Sequence, residues 1–320
     1  TVSAPVVIGA EGTAMWEWRG YTIRYSHSGL RNSNKTPIVM VHGFGSSGDT
    51  WRNQFSVLAA EGHPVYAIDL LGFGMSQKPA EADYSIELWK TQVLDFIDQV
   101  VRSEKVVLFG NSIGSLVSCT AAACPERRSR VEGLVLMNCA AGMNNKFIVT
   151  GTRTSPLGKV IASVLFGILD FLLGLDSFAN WFFERTRSED NVSQVLRNVY
   201  VNKDAVDTAL VRSILDPADD PNALEVFVKI LTGDPGKTPD TFMDEIKQPM
   251  LLVWGDEDSL TPLKVGYGPY FAEELVQGRP LTELAVVNAG HCPHDDDPVG
   301  VNAAVVEWLS RLPEMERMTV

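Results

Sequence analysis

The stretch Val106-Val107-Leu108-Phe109-Gly110-Asn111-Ser112-Ile113-Gly114 decides how this chain is read. Four apolar residues, Val106 to Phe109, have the character of a buried strand, and a helical pattern runs from Ser115 to Ala123. Between them stands a serine with glycines two positions before and two after it. Strand, sharp turn and helix in that order form a nucleophile elbow. Gly110 and Gly114 leave room for a strained turn and for close helix packing, and a helix N-terminus favours developing negative charge. Glycine and serine are common, so the five-residue pattern alone is weak. Its setting makes Ser112 the expected nucleophile rather than an ordinary turn serine.

Outward from the elbow, short apolar runs alternate with helical patterns. The strand candidates are Pro37 to Val41, Val65 to Asp69, Val106 to Gly110, Leu134 to Asn138, Met250 to Trp254 and Leu284 to Asn288. This alternation predicts an α/β chain with a mostly parallel sheet and helices on both faces. It stops at about Ala141 and resumes at about Gln248, with helical patterns and then a proline-rich stretch between. The expected organisation is a core over 1–140 and 248–320 and an inserted helical lid over 141–247. Within the lid, the apolar run from Val160 to Leu175 is short for a bilayer crossing and contains Asp170, so a buried or interfacial helix is expected. Peripheral membrane contact through the lid is an expected partner interaction.

With 320 residues, 45% of them hydrophobic, the chain can bury a large core. Its formal charge of −13 argues against nucleic acid as a partner, because that affinity rests on Lys and Arg neutralising phosphates. Cys119, Cys124, Cys139 and Cys292 are spaced neither as a disulfide framework nor as a zinc site, which favours a reducing compartment. The chain opens on Thr1 with no readable signal peptide, and a leader removed upstream is expected.

The partners of Ser112 are sought after the other strands. His42-Gly43-Phe44-Gly45 follows a strand, and the backbone amides of Phe44 and Ile113 are the expected oxyanion donors, with His42 as a structural histidine. Gly255-Asp256-Glu257-Asp258 follows another strand and offers two aspartates; Asp258 is favoured for its reach, and Asp256 stays open as the alternative. His291, in Asn288-Ala289-Gly290-His291-Cys292-Pro293, follows the last strand candidate and is the expected general base. The chain order Ser, Asp, His is one that such triads use. His294-Asp295-Asp296-Asp297 could suggest a metal site, but Asp297-Pro298 suits the start of a helix from Val299 to Leu309, so no metal and no cofactor are expected.

These motifs, together with Asp69-Leu70-Leu71-Gly72-Phe73-Gly74-Met75-Ser76, resemble the α/β-hydrolase superfamily over Tyr21 to Leu309. The resemblance implies the α/β-hydrolase fold and a serine hydrolase. Val135-Leu136-Met137-Asn138, Gly142-Met143-Asn144-Asn145-Lys146 and His291-Cys292-Pro293 further resemble plastid hydrolases of the pheophytinase-like and chlorophyll-dephytylating kind. That implies a chloroplast address and the phytyl ester of chlorophyll or pheophytin as substrate. Ser115 departs from the second glycine that many relatives carry, and Asn111 and Ile113 depart from the residues usual beside the serine in land-plant chlorophyllases.

The expected activity is therefore hydrolysis of a large apolar carboxylic ester. Phe166, Phe171, Leu172, Trp181 and Phe182 of the lid are candidate substrate contacts, beside the plainer expectation that such residues pack the lid on the core. The alternatives are a general carboxylesterase or lipase, a carbon–carbon bond hydrolase, and a ligand receptor that retains the triad. Cys292 stands where carbon–carbon bond hydrolases commonly have tryptophan.

Overall fold

The computed structural model describes residues 12–29 and 33–317. The ends of the expected core segments, 1–11 and 318–320, lie outside the described residues, as do 30–32. Eight strands form one sheet: β1 (Gly12–Trp18), β2 (Tyr21–Ser28), β3 (Ile38–Val41), β4 (Val65–Ile68), β5 (Val106–Asn111), β6 (Val131–Met137), β7 (Met250–Gly255) and β8 (Thr282–Val287). Their spatial order is β1-β2-β4-β3-β5-β6-β7-β8. β3 to β8 run parallel, while β1 and β2 add an antiparallel edge.

Each of the six strand candidates lies on a parallel strand, with ends shifted by up to a few residues. The hairpin β1–β2 was not foreseen. Its signal was present: alternation across Thr13 to Trp18 and Thr22 to Ser28, joined by Arg19-Gly20. Both turn residues have positive φ, 53° and 85°, as a two-residue hairpin turn with primed geometry requires.

The pleat of β5 shows how the core is divided. Val106 and Leu108 point into one apolar cluster, while Val107 and Phe109 point into the other. The first cluster packs under α2 (Ile86–Phe96) and α3 (Ile113–Ala123); the second packs under α1 (Phe55–Ala60) and the final helix Pro298–Arg317 through Leu58, Val301, Val305 and Trp308. Both faces of the central strands are thus covered, which explains their nearly unbroken apolar character.

Between β6 and β7 the chain is helical: α4 (Phe147–Thr150), α5 (Pro156–Leu173), α6 (Asp176–Thr186), α7 (Glu189–Val199), α8 (Thr208–Leu215) and α9 (Ala223–Thr232), with short 3-10 turns. This insertion has a small apolar cluster of its own, formed by Val192, Leu196, Tyr200, Val206, Leu210 and Val211. Of the two readings of the apolar run, the buried one does not hold: in α5 only Ala162 and Leu173 are buried. The helix packs against α4 and α6 and leaves its other side open.

Candidate active site

Ser112 sits between β5 and α3 with φ 55° and ψ −121°, a conformation that non-glycine residues rarely adopt. The flanking glycines are obligatory. A Cβ on Gly110 would lie 2.4 Å from the Ser115 nitrogen, and one on Gly114 would lie 2.1 Å from the Val41 carbonyl oxygen. The strain is held by hydrogen bonds: the Ser112 amide donates to Met137 (2.9 Å), and the Ser112 carbonyl accepts from Ser115 (3.0 Å) and Ala140 (3.2 Å). Ser115, the departure from glycine, is accommodated; its hydroxyl donates to the Met137 carbonyl and accepts from the Met137 amide, both at 3.1 Å.

His291 Nε2 lies 2.9 Å from Ser112 Oγ, and Nδ1 lies 3.0 and 3.1 Å from the two Asp258 oxygens. All three side chains belong to residues that are less than a tenth exposed. With Nδ1–H donated to the carboxylate, Nε2 keeps its lone pair for the serine proton. Burial works to raise the Asp258 carboxyl, but the hydrogen bond and charge of His291, the Thr261 hydroxyl and the Leu260 amide outweigh it and hold it well below the usual carboxylate range.

Asp256, the open alternative, is turned elsewhere: it accepts from the Ala289 amide at 3.3 Å and shapes the turn. One residue quoted above only in a strand and a resemblance motif, without a role in the site, proves to brace it. Asn138 is fully buried with φ 46°; its side-chain amide donates to Asp258 and to the Gly290 carbonyl, and its oxygen accepts from the Gly255 amide. It ties together the loops that carry the acid and the histidine. Its place at the end of the Val135-to-Asn138 motif, just past a strand, was the local signal.

The histidine turn is held from the insertion side as well. The His291 amide donates to Val199 at 2.9 Å, and a Cβ on Gly290 would lie 1.9 Å from that carbonyl oxygen, so only glycine fits. Asp296 accepts from the amides of Gly290 (2.6 Å), Val201 (2.8 Å) and Asn202 (2.7 Å). Asp295 pairs with Arg52 at 2.7 Å, and Asp297 accepts from Gly300 at 3.0 Å at the start of the last helix. The acidic run is thus engaged in tying structure together. His294 stacks on Trp51 at 4.2 Å and meets the Thr50 hydroxyl at 3.0 Å, and burial, with the nearby charges of His291 and Arg52, pushes it down to about 3.

His42 is fixed as a neutral ring, Nδ1 on the Gly43 carbonyl (2.7 Å) and Nε2 accepting from the Leu70 amide (3.0 Å); desolvation lowers its pKa. Gly43 presses on the elbow, where a Cβ would lie 3.2 Å from that of Ser112. Cys292 is a poor nucleophile, because desolvation pushes its thiol up to about 12.

A cavity of about 630 Å³ opens over Ser112 and His291. Phe44 and Ile113 line it, with Met143, Phe147, Ile148, Leu231, Trp254, Leu260, Val265 and Tyr267. Phe166, Phe171, Leu172, Trp181 and Phe182 are not among its described lining residues. Phe171 and Trp181 are more than half exposed on the outside of the insertion, and Phe182 lies in an aromatic cluster with Phe178 and Phe227. Beside this cavity lies a smaller chamber of about 160 Å³ under Phe183, Val226 and Phe227, and Phe44 lines both.

A mostly parallel sheet with a strained serine at one strand end, a histidine and an aspartate at two others, and helices inserted before β7 defines a class of hydrolases. The chain belongs to the alpha/beta hydrolase family, whose model matches residues 38–304. It is 28% identical over 279 residues to a 2-hydroxy-6-oxononadienedioate/2-hydroxy-6-oxononatrienedioate hydrolase of Paraburkholderia phymatum, covering 85% of this chain and 84% of that one. It is 23% identical to the chloroplastic pheophytinase of Arabidopsis thaliana over 92% of this chain and 66% of that protein. Among solved structures, a bacterial membrane phospholipase A superposes with a TM-score of 0.70 at 23% identity, covering 95% of this chain and 87% of the other, which speaks to the fold alone.

Proposed function

We propose that the protein is a serine carboxylic-ester hydrolase acting on a large apolar ester, with a phytyl-type ester of a tetrapyrrole as the substrate class. The observation that carries the reading is the continuous chain Ser112 Oγ, His291 Nε2, His291 Nδ1 and Asp258, at 2.9 to 3.1 Å, with Ser112 and His291 opening into a cavity whose lining is mainly apolar.

In this mechanism Ser112 Oγ attacks the ester carbonyl carbon while its proton passes to His291 Nε2. Asp258, ionised well into acid, stabilises the imidazolium. The Phe44 and Ile113 amides receive the oxyanion. Collapse of the intermediate expels the alcohol, which takes the proton from His291. A water molecule, deprotonated by His291, then attacks the acyl-serine, and the acid leaves with Ser112 restored.

The substrate class is supported by the similarity to the Arabidopsis protein and by the aromatic and aliphatic lining of the cavity. Each methylene removed from water there contributes about 0.8 kcal/mol, so a long isoprenoid alcohol would be favoured over a short one. The lining residues Met143, Phe147, Leu231 and Tyr267 take the place of the more distant lid residues as the proposed contacts. A plastid address goes with this reading and rests on the same similarity.

The test is kcat/KM for chlorophyll a, pheophytin a, p-nitrophenyl butyrate and a 2-hydroxy-6-oxo-dienoate, with identification of the released products. Preference for either pigment supports the proposal. Efficient cleavage of butyrate with both pigments untouched makes the protein a general carboxylesterase, and cleavage of the dienoate alone makes it a carbon–carbon bond hydrolase.

A further inference from the structure

We propose that the outer face of α5, continued by the start of α6, docks on the zwitterionic surface of a phospholipid bilayer. This goes beyond the hydrolytic reading and does not depend on it. α5 carries apolar residues on both its inner and its outer face. Ala162, Phe166, Leu169 and Leu173 form a stripe that is buried or half-buried against the protein. Leu157, Ile161, Val164, Ile168 and Phe171 form a second stripe at helical spacing, and each is more than half exposed. Val160 and Leu165, on its flanks, are also more than half exposed. A surface helix ordinarily turns its polar side to water. Here the outward side is apolar, and the helix is long and apolar enough by composition to lie in hydrocarbon, yet only 11% of it is buried.

The chemistry of the stripe selects its occupant. A protein partner makes about one hydrogen bond per 100–200 Å² of interface. These aliphatic and aromatic side chains offer none, and the nearby Ser163 hydroxyl is already bonded to the Lys159 carbonyl of its own helix. Acyl chains ask for no hydrogen bonds. The ionisable side chains of the helix lie off the stripe: Asp170 pairs with Lys146 at 2.7 Å, and Lys159 is half-buried. Beyond the end of α5, Leu175 and Trp181 are exposed, and an indole suits the boundary between acyl chains and headgroups.

Charge narrows the choice of lipid. Around α5 and α6, over residues 146–190, Lys146, Arg153, Lys159, Arg185 and Arg187 balance Asp170, Asp176, Glu184, Glu189 and Asp190, while the whole chain is at −13. A locally neutral face on an acidic chain has no cationic excess to hold anionic headgroups, so a zwitterionic surface fits. Because the inner stripe packs on the protein, the helix lies on the bilayer rather than spanning it. The face also leads to the cavity: Arg153 and Thr154 line the cavity, and Ser155 caps the start of α5.

The test is co-flotation of the full chain with phosphatidylcholine vesicles, with and without added phosphatidylglycerol, beside the double variant Val164→Lys/Ile168→Lys. Wild type should float with phosphatidylcholine in low and high salt alike, and phosphatidylglycerol should not strengthen binding. The variant's bound fraction should fall at least about tenfold. An unchanged melting midpoint and unchanged p-nitrophenyl butyrate hydrolysis would show that the variant is folded. The proposal is overturned if wild type ignores phosphatidylcholine, if the variant binds equally well, or if binding appears only with phosphatidylglycerol. It is equally overturned by a concentration-dependent dimer that the two lysines abolish, which would assign the face to a second copy of the chain. Vesicle binding without any esterase activity would support the docking face while removing the hydrolytic reading alone.

Discussion

α3 and α5 are both apolar helices, and they meet opposite fates. Ten of the eleven residues of α3 are buried, against two of the eighteen in α5. α3 lies between the sheet and α2, so water reaches almost none of it. α5 belongs to an insertion with a small cluster of its own, and one side of it has nothing to pack on. Composition measures how much a helix gains by leaving water; only its neighbours decide whether it does.

The same contrast divides the proposed chemistry, with the reacting groups on strand ends of the core and much of the cavity wall from the insertion and its flanks. Ser112→Ala is the hardest test of the core side. It should remove on the order of 10⁶ in kcat while leaving the melting midpoint nearly unchanged. Residual turnover close to wild type in a folded protein would place the nucleophile elsewhere.

Next in size is the pair of aspartates. Asp258→Asn should lower kcat by roughly 10⁴, because the amide favours the wrong tautomer of His291, whereas Asp256→Asn should change it by no more than about a few-fold. The opposite ranking in steady-state kinetics would move the acid to Asp256.

Asp296→Ala tests whether the two regions act separately. It would leave three amides without their acceptor, one in the histidine turn and two at the end of α7. Only Gly290 is buried among the three, with Val201 half-buried and Asn202 exposed; one buried unpaired N–H costs about 1–3 kcal/mol, so a drop of a few degrees in the melting midpoint is expected. A loss of about tenfold to a hundredfold in kcat, with KM little changed, should accompany it as His291 shifts. Destabilisation with kcat intact would mean that the insertion does not position the base.

The smallest effect is a pH dependence. Asp258 has a folded pKa below its unfolded value of about 3.9, so its stabilising contribution is fully present above that value and is lost as pH falls through the folded one. The difference in melting midpoint between wild type and Asp258→Asn should persist down to about pH 5 and shrink below about pH 4. A difference that already fades at pH 6 would mean that the carboxylate is not held as described.

The parallel sheet, the elbow and the positions of Ser112, Asp258 and His291 were legible in the sequence because each rests on a local demand. Central strands need continuous apolar runs, and a turn as tight as the elbow needs residues without a Cβ at 110 and 114. The hairpin of β1 and β2 was legible too, in its alternation and its Arg19-Gly20 turn. Other features had no local signature. That Asn138 braces Asp258 and Gly290 depends on bringing β6 beside β7 and the histidine turn, 120 and 152 residues away along the chain. That Tyr267 and Leu231 wall the cavity while Phe171 and Trp181 face outward depends on how the insertion helices pack. An apolar side chain carries the same preference for leaving water wherever it stands, and the direction in which it can do so exists only once the rest of the chain has folded around it.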